Sequence, residues 1–244
     1  MVRHPPQVTL MILKRLALAC AFVLSMTILS GTAWADNIPI ANASFETLGN
    51  PLSVTCGTGC AYNYGSIPGW SLTGGGGGGN WQPGSFFTSV PNGTLIGFVN
   101  ATGSISQTLT GDSVLANSVY TLSVFVGDRT DGDSGNYTLS LDTIIGGVKT
   151  TLCSFTNNAS TIGSGMFQVE GCTYTSPSSA PSGNLFLQLS ANTGQLDVDN
   201  VSLSVQSATS SVPEPSSVLL LSVGMLFLVA TLMVRREKEL QLAA

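Results

Sequence analysis

The stretch Tyr120-Thr-Leu-Ser-Val-Phe-Val126 decides the fold class of this chain. Apolar residues recur at every second position along it, and successive side chains of a β-strand point to opposite faces of the sheet. Tyr120, Leu122, Val124 and Val126 therefore share one face, which we expect to be buried. The stretch predicts a strand with one side in a hydrophobic core.

Similar short runs follow one another through the middle of the chain. Gly, Asn, Asp, Ser and Pro separate them, which favours turns, and no amphipathic helical pattern lies between them. This arrangement predicts an all-β fold, an antiparallel β-sandwich, and among sandwiches we expect a jelly roll. The predicted strands cover residues 95–99, 105–109, 120–126, 137–141, 150–155, 166–174, 185–189 and 196–205.

The N-terminal segment, residues 1–35, has the organisation of a cleavable signal peptide. Basic residues precede an apolar run at 16–29, and Ala33-Trp34-Ala35 supplies the small residues that signal peptidase accepts. The apolar run is too short for a transmembrane helix. We expect cleavage after Ala35.

The C-terminal segment combines three features in order. Pro213-Glu214-Pro215 leads into an uncharged apolar run of 17 residues, 218–234, and Arg235 and Arg236 follow. The run is at the short end of what a bilayer-spanning helix needs, and the basic residues favour a cytoplasmic C-terminus. An ordinary single-pass anchor is one interpretation.

This ordered triplet resembles the PEP-CTERM sorting signal of Gram-negative bacteria. The resemblance implies an exosortase-type transpeptidase as a partner, release of the anchor near Pro-Glu-Pro, and association with surface polysaccharide. We expect export to the envelope, anchoring in the inner membrane, and location at the cell surface or outside it after processing. The expected segments are a signal peptide at 1–35, a β-sandwich ectodomain at 36–206, a linker at 207–217, a transmembrane helix at 218–234 and a cytoplasmic basic tail at 235–244.

The charge of the expected ectodomain excludes several partners. Residues 36–206 contain ten acidic residues and two basic ones, Arg129 and Lys149, so the net charge is 2 − 10 = −8. Such a surface offers no cationic footprint to phosphates or anionic headgroups. Nucleic acid is therefore excluded as a partner.

Four cysteines remain after the signal peptide, and an exported protein meets an oxidising compartment. We expect disulfides between Cys56 and Cys60 and between Cys153 and Cys172, although three connectivities are possible. A zinc site is the alternative, but the cysteine spacing does not form two paired knuckles. Histidine is absent from residues 36–206, which excludes Ser-His-Asp and Cys-His mechanisms and leaves carboxylate chemistry.

The two ends of the ectodomain carry a matching pair of motifs, Ile40-Ala-Asn-Ala-Ser-Phe-Glu46 and Leu196-Asp-Val-Asp-Asn-Val-Ser-Leu203. This pair resembles the terminal signatures of galactose-binding-like jelly rolls, which occur in many carbohydrate-binding modules. The resemblance implies adjacent first and last strands and a structural Ca²⁺ ion bound by Glu46 and Asp199, with Asn42 as a further ligand. Calcium prefers such oxygen ligands. The alternative is that these are surface charges at strand ends.

Aromatic residues flank the glycine run 74–79, which we expect to be a flexible loop. Trp81, Tyr62 and Tyr64 form a candidate ligand platform, because aromatic faces can stack on sugar rings. Trp70 is expected in the core. The acidic segment 128–136 resembles a calcium loop in composition but not in spacing, and we interpret it as a solvated hairpin loop.

Three functions fit these observations. The first is a non-catalytic envelope protein whose calcium-stabilised sandwich associates with surface polysaccharide. The second is a lectin-like module with a defined sugar ligand, which predicts one concave patch around an exposed Trp81. The third follows from a resemblance to the cyanobacterial Stig cyclases of indole alkaloid assembly, which implies an enzyme using an acidic residue. That hypothesis predicts an aromatic-lined pocket around a carboxyl group such as Asp197 with a raised pKa.

Overall fold

A computed structural model describes residues 35–208 and, further along the chain, residues 224, 225, 231, 235 and 239. The expected signal peptide, Pro-Glu-Pro motif and transmembrane run lie outside the described residues, apart from these isolated positions. Among the residues described, no helix is long and apolar enough to cross a bilayer.

Residues 35–208 form an antiparallel β-sandwich, as the sequence predicts. The strands are β1 (Asp36–Ile38), β2 (Val54–Gly57), β3 (Cys60–Tyr62), β4 (Ser71–Gly74), β5 (Gly78–Pro83), β6 (Ile96–Asn100), β7 (Gly103–Ser113), β8 (Ser118–Asp128), β9 (Asn136–Ile145), β10 (Val148–Asn158), β11 (Met166–Thr175), β12 (Asn184–Ala191) and β13 (Gln195–Ser207). Two short 3₁₀ turns, Gly84–Phe86 and Ala159–Thr161, complete the regular structure of this part.

Two sheets face each other. Sheet A has the order β11-β8-β13-β6-β5-β3-β2, with β1 also paired to β13, and sheet B has the order β10-β9-β12-β7-β4. The core between them contains every residue of the alternating face of β8, which confirms the prediction from periodicity. The first strand lies beside the last, with Ile38 opposite Leu203, as the terminal motifs imply.

The glycine run 74–79 is not a simple loop, contrary to the prediction. Gly74 ends β4, and Gly78 and Gly79 begin β5. A Cβ on Gly79 would lie 2.0 Å from the Asn63 carbonyl oxygen, and one on Gly78 would lie 2.4 Å from that of Phe98. Glycine is therefore needed here for close approach of neighbouring backbones rather than for flexibility.

Both expected disulfides are present. Cys56 and Cys60 close the β2–β3 hairpin, with Cα atoms 5.1 Å apart. Cys153 on β10 joins Cys172 on β11, with Cα atoms 5.9 Å apart. These two strands follow each other in the chain but belong to opposite sheets, so the second disulfide connects the two layers of the sandwich.

Candidate functional site

A second apolar cluster lies on the outer face of sheet A, away from the core between the sheets. Strand alternation on β6 explains its position, because Val99 packs in the main core while Ile96 and Phe98 belong to the outer cluster. Cys60, Trp81 and Phe87 complete its buried members. Apolar and aromatic side chains of this kind are typical of the walls of ligand-binding pockets.

A cavity of about 440 Å³ opens beside this cluster, and we call it the outer pocket. Its size falls in the range of small-ligand sites, roughly 300–1,000 Å³. Aromatic side chains and a few polar groups line it together: Cys56, Tyr62, Tyr64, Trp81, Phe86, Phe98, Asn100, Arg129, Asp133 and Gln195. The outer pocket therefore offers both apolar ring faces and hydrogen-bonding groups.

The candidate platform residues have different degrees of exposure. Tyr64 is 55% exposed, and its ring meets that of Tyr62 edge-on, with centroids 5.4 Å apart. Trp81 is only 4% exposed, so the expectation of an exposed Trp81 is wrong. Its indole NH donates a hydrogen bond to the Cys60 sulfur at 3.3 Å, which fixes the ring as a wall of the pocket. Trp70 is buried in the main core, as expected.

Arg129 covers part of the aromatic wall. Its guanidinium carbon lies 4.8 Å from the Trp81 ring centroid and 5.1 Å from that of Phe86. The same guanidinium pairs with Asp131 at 2.6 Å and with Asp133 at 3.3 Å. Cation–π contact and the two carboxylates together hold Arg129 at the edge of the pocket.

These contacts correct the interpretation of segment 128–136. The segment connects β8 in sheet A to β9 in sheet B, so it is a link between layers and not a hairpin loop. The carboxylates of Asp131 and Asp133 in this segment accept hydrogen bonds from the Arg129 guanidinium. No cluster of three or more His, Cys, Asp or Glu suited to a metal occurs in the part of the chain that the structure describes.

Asp197 lies behind the pocket and is fully buried. The Gln195 amide donates a hydrogen bond to its Oδ1 at 2.6 Å, while Oδ2 has no hydrogen-bond partner within the described part of the chain. Gln195 in turn accepts a hydrogen bond from Arg129 at 2.7 Å. Burial raises the pKa of Asp197 to about 7, although the Gln195 hydrogen bond and the Arg129 charge act in the opposite direction.

The backbone opposite Asp197 explains how this carboxyl is covered. Gly127 pairs with Asp197 across β8 and β13. A Cβ on Gly127 would lie 2.6 Å from the Phe87 ring and 2.8 Å from the Phe167 ring. The missing side chain lets these two rings, whose centroids are 4.5 Å apart, close over the sheet.

The two acidic residues of the expected calcium site converge on one loop. Glu46 Oε1 accepts hydrogen bonds from the backbone of Thr94 and Leu95, at 2.9 and 2.7 Å. Asp199 Oδ2 accepts one from the backbone of Asn92 at 2.8 Å. The intervening Gly93 has a φ of 65°, and a Cβ there would lie 2.3 Å from the Glu46 carboxyl carbon.

Asp199 is a buried carboxylate that no ion pair among the described residues neutralises. Burial raises its pKa to about 7, and the nearby Glu46 charge adds to the effect against two backbone hydrogen bonds. Asn42 is engaged differently, because its side-chain oxygen accepts from the Thr47 backbone NH and its amide donates to the Thr47 carbonyl. Asn42 therefore closes a local loop.

Sequence reasoning missed Arg129, Gln195, Phe98 and Asn100 as pocket residues. One signal was available: Gln195 and Asp197 are two positions apart on a strand and so share a face. The position of Arg129 over Trp81 joins residues that are 48 positions apart in the sequence, and no local pattern predicts it.

The comparisons agree with this architecture. The family model described as HpiC1-like, HpiC1 cyclase, matches residues 36–204, and the chain belongs to this family. A crystal structure of an apo-form cyclase from Fischerella sp. is 22% identical, with a TM-score of 0.57, and the match covers 72% of this chain and 98% of that one. No curated protein matches the chain.

Carbohydrate-binding modules are also among the similar structures. The CBM22-1 xylan-binding domain of Xyn10C from Paenibacillus barcinonensis is 14% identical with a TM-score of 0.46, and the match covers 72% of this chain and 97% of that one. A family 22 module of Clostridium thermocellum Xyn10B is 16% identical with a TM-score of 0.41, covering 70% and 99%. The antiparallel sandwich fold is shared with the Fischerella cyclase.

The PEP-CTERM protein-sorting motif matches residues 211–236. This confirms the C-terminal resemblance, including Pro213-Glu214-Pro215 and the two arginines that follow the apolar run. The protein is therefore exported and targeted to the cell envelope.

Proposed function

We propose that this exported protein binds a saccharide in the outer pocket and thereby associates with surface polysaccharide, without catalysing a reaction on it. The observation that carries the proposal is the composition of the cavity wall. Tyr64 presents an exposed ring at the rim, while Asn100 and Asp133 supply hydrogen-bonding groups beside the aromatic residues. Sugars have apolar ring faces and a hydroxyl periphery, so they need this combination.

The close packing of the two pocket tyrosines favours the binding of a sugar ring. Tyr62 and Tyr64 both pack edge-on against Phe98, with centroid distances of 5.9 and 5.6 Å. The Cys56–Cys60 disulfide fixes the hairpin that leads to them. Residues held in place in the free protein lose little conformational entropy when a ligand binds.

Calorimetric titration of the exported protein with oligosaccharides from neutral, amino and acidic polysaccharides tests this proposal. We expect Tyr64→Ala to weaken binding about tenfold, because a stacking contact contributes about 1–1.5 kcal/mol. Tyr64→Phe keeps the ring and should retain the affinity. Equal affinities for Tyr64→Ala and the unchanged protein would contradict binding in the outer pocket.

The sorting motif adds a proposed partner and a processing step. An exosortase-type transpeptidase would cleave near Pro213-Glu214-Pro215 and release the domain from the C-terminal apolar segment. Mass spectrometry of the mature protein from its host should then find no peptide from residues 235–244. Recovery of that tail on the exported form would refute the cleavage.

Calcium is a further part of the proposal. Glu46 and Asp199 fit the ion, because both carboxylates converge on the loop at residues 92–95 and Asp199 is buried with no cationic partner among the residues that the structure describes. Calcium would supply positive charge to these carboxylates and fix the loop that connects β5 to β6. Asn42 is left out of the proposed ligand set, since its side chain already holds Thr47.

The second candidate function is acid catalysis of a cyclisation, as the family's name suggests. The buried Asp197 carboxyl favours it, because one of its oxygens lacks a partner and Gln195 connects it to the cavity. Asp197 itself is not part of the cavity wall, so Gln195 would have to move before a substrate could reach it. With indole alkaloid precursors as substrates, product formation that Asp197→Asn abolishes would favour catalysis over binding alone.

A further inference from the structure

The charges around the outer pocket do not balance. Arg129 contributes one positive charge, and its partners Asp131 and Asp133 contribute two negative ones, which leaves 1 − 2 = −1. Asp133 lines the cavity, and its side chain is 62% exposed. A carboxylate at the mouth of a pocket with low-dielectric aromatic walls acts on a charged ligand more strongly than one on an open surface.

No other cation of the ectodomain compensates this charge. Residues 36–206 contain one further basic residue, Lys149. Its ammonium group lies 3.9 Å from the Asp142 carboxylate and over the ring of Phe186, on sheet B. An anionic ligand in the outer pocket would therefore meet net negative charge within a domain of charge −8.

The position of the Arg129 guanidinium indicates that a cationic group can pack against the aromatic wall of the pocket. A cationic group already lies against two of its rings, Trp81 and Phe86, and also pairs with two carboxylates. Tyr64 remains exposed at the rim, and Asp133 retains most of its exposure. The same two kinds of group, an aromatic face and a carboxylate, are available to a ligand at the mouth.

We propose that the outer pocket selects saccharides that carry a protonated amine over neutral ones, and rejects those that carry carboxylates. This inference rests on the proposed saccharide binding. The sugar ring stacks on Tyr64, and its ammonium group is directed to Asp133, where charge attraction adds to the ring contact. An amino sugar with a free amine has this chemistry.

A matched series of β-1,4-linked tetramers tests the selection: glucosamine, N-acetylglucosamine, glucose and glucuronate. The first three differ only at one ring position, so they separate charge from shape. At mildly acidic pH and low salt, we expect the glucosamine tetramer to bind the full exported protein about three- to tenfold more tightly than the glucose tetramer. The glucuronate tetramer should bind most weakly, and the preference for the amine should shrink at roughly 0.5 M salt.

Two variants with the same change in net charge test whether the preference for glucosamine arises at the outer pocket. Asp133→Asn removes the carboxylate at the mouth and should abolish the preference for glucosamine over glucose. Asp112→Asn is the control. Asp112 lies close to Tyr120, near the start of β8, whereas Arg129 directly follows the end of that strand, so about 30 Å of extended chain separates Tyr120 from Arg129. The control should keep the full preference.

The outcomes separate this inference from the proposed function. Equal affinities for the glucosamine and glucose tetramers, both dependent on Tyr64, would overturn the amine selection and leave saccharide binding intact. Equal losses in Asp133→Asn and Asp112→Asn would identify general attraction of a polycation to an acidic domain, which also overturns it. If no tetramer or longer oligosaccharide binds, both proposals fail.

Discussion

Replacement of Asp197 by Asn should change how the stability of the protein depends on pH. The pKa of Asp197 is about 7 in the native state, against 3.8 in the absence of the protein environment, with burial as the main cause. The native state therefore holds this proton more tightly than the unfolded state does. A difference of about three pKa units corresponds to about 4 kcal/mol of unfolding free energy.

The sign of the effect follows from the raised pKa. The stability that the neutral carboxyl contributes is complete below pH 3.8 and is lost as the pH rises to about 7. Between about pH 4 and about pH 8, the unchanged protein should thus lose about 4 kcal/mol more stability than Asp197→Asn, which has no proton to lose. Asp199, whose pKa burial also raises to about 7, titrates in both proteins and cancels from the comparison.

Urea unfolding in the presence of a chelator, at a series of pH values, measures this difference. The comparison uses only the change in unfolding free energy with pH, so any pH-independent cost of placing an amide at position 197 cancels. Asp36→Asn, a change at an exposed carboxylate on β1, controls for net charge and should follow the unchanged protein. Parallel pH profiles for Asp197→Asn and the unchanged protein would refute the claim that burial keeps this carboxyl protonated.

The remaining predictions concern the ion, the disulfides and the core. Glu46→Gln should abolish the rise in melting temperature on addition of calcium, whereas Asn42→Ala should keep it; a calcium response that survives Glu46→Gln in differential scanning calorimetry would contradict the proposed ligand. Cys153→Ser should lower the unfolding free energy by about 3 kcal/mol, because the disulfide closes a loop with a sequence separation of 19; a chemical denaturation curve unchanged by the substitution would contradict this. Leu187→Ala, at a fully buried position, should cost about 2–5 kcal/mol, and Val148→Ala, at an exposed one, less than about 0.5 kcal/mol. Similar costs for these last two variants, measured by urea unfolding, would refute the assignment of the core.

Much of the fold follows from local periodicity. In the second half of the sandwich, β8 as far as Val126 and β12 from Leu185 onward alternate between buried and partly buried positions, and the sequence pattern predicts this alternation directly. The sequence does not predict the strands β2 to β5, because they have only three to six residues each and show no clear apolar alternation. Their pairing depends on close approach of backbones, as at Gly79 and Asn63, which hydrophobic periodicity does not detect.

The candidate site was predicted only in part, for a related reason. Tyr62, Tyr64 and Trp81 were found because they cluster in sequence, and Glu46 and Asp199 because they belong to recognisable motifs. Trp81 packs against Phe86, Phe87 and Phe98. Arg129, which follows the end of β8, also lies over the Trp81 ring, and no local sequence pattern predicts that contact. The raised pKa of Asp197 likewise depends on rings that close over Gly127 from two other segments.

A crystal structure of the exported protein with the best-binding tetramer would show whether the outer pocket holds a saccharide. We predict a sugar ring stacked on Tyr64, with further contacts to Asn100 and Asp133. A sugar bound elsewhere on the sandwich, such as the outer face of sheet B, with the outer pocket empty at saturating ligand, would refute saccharide binding in this pocket.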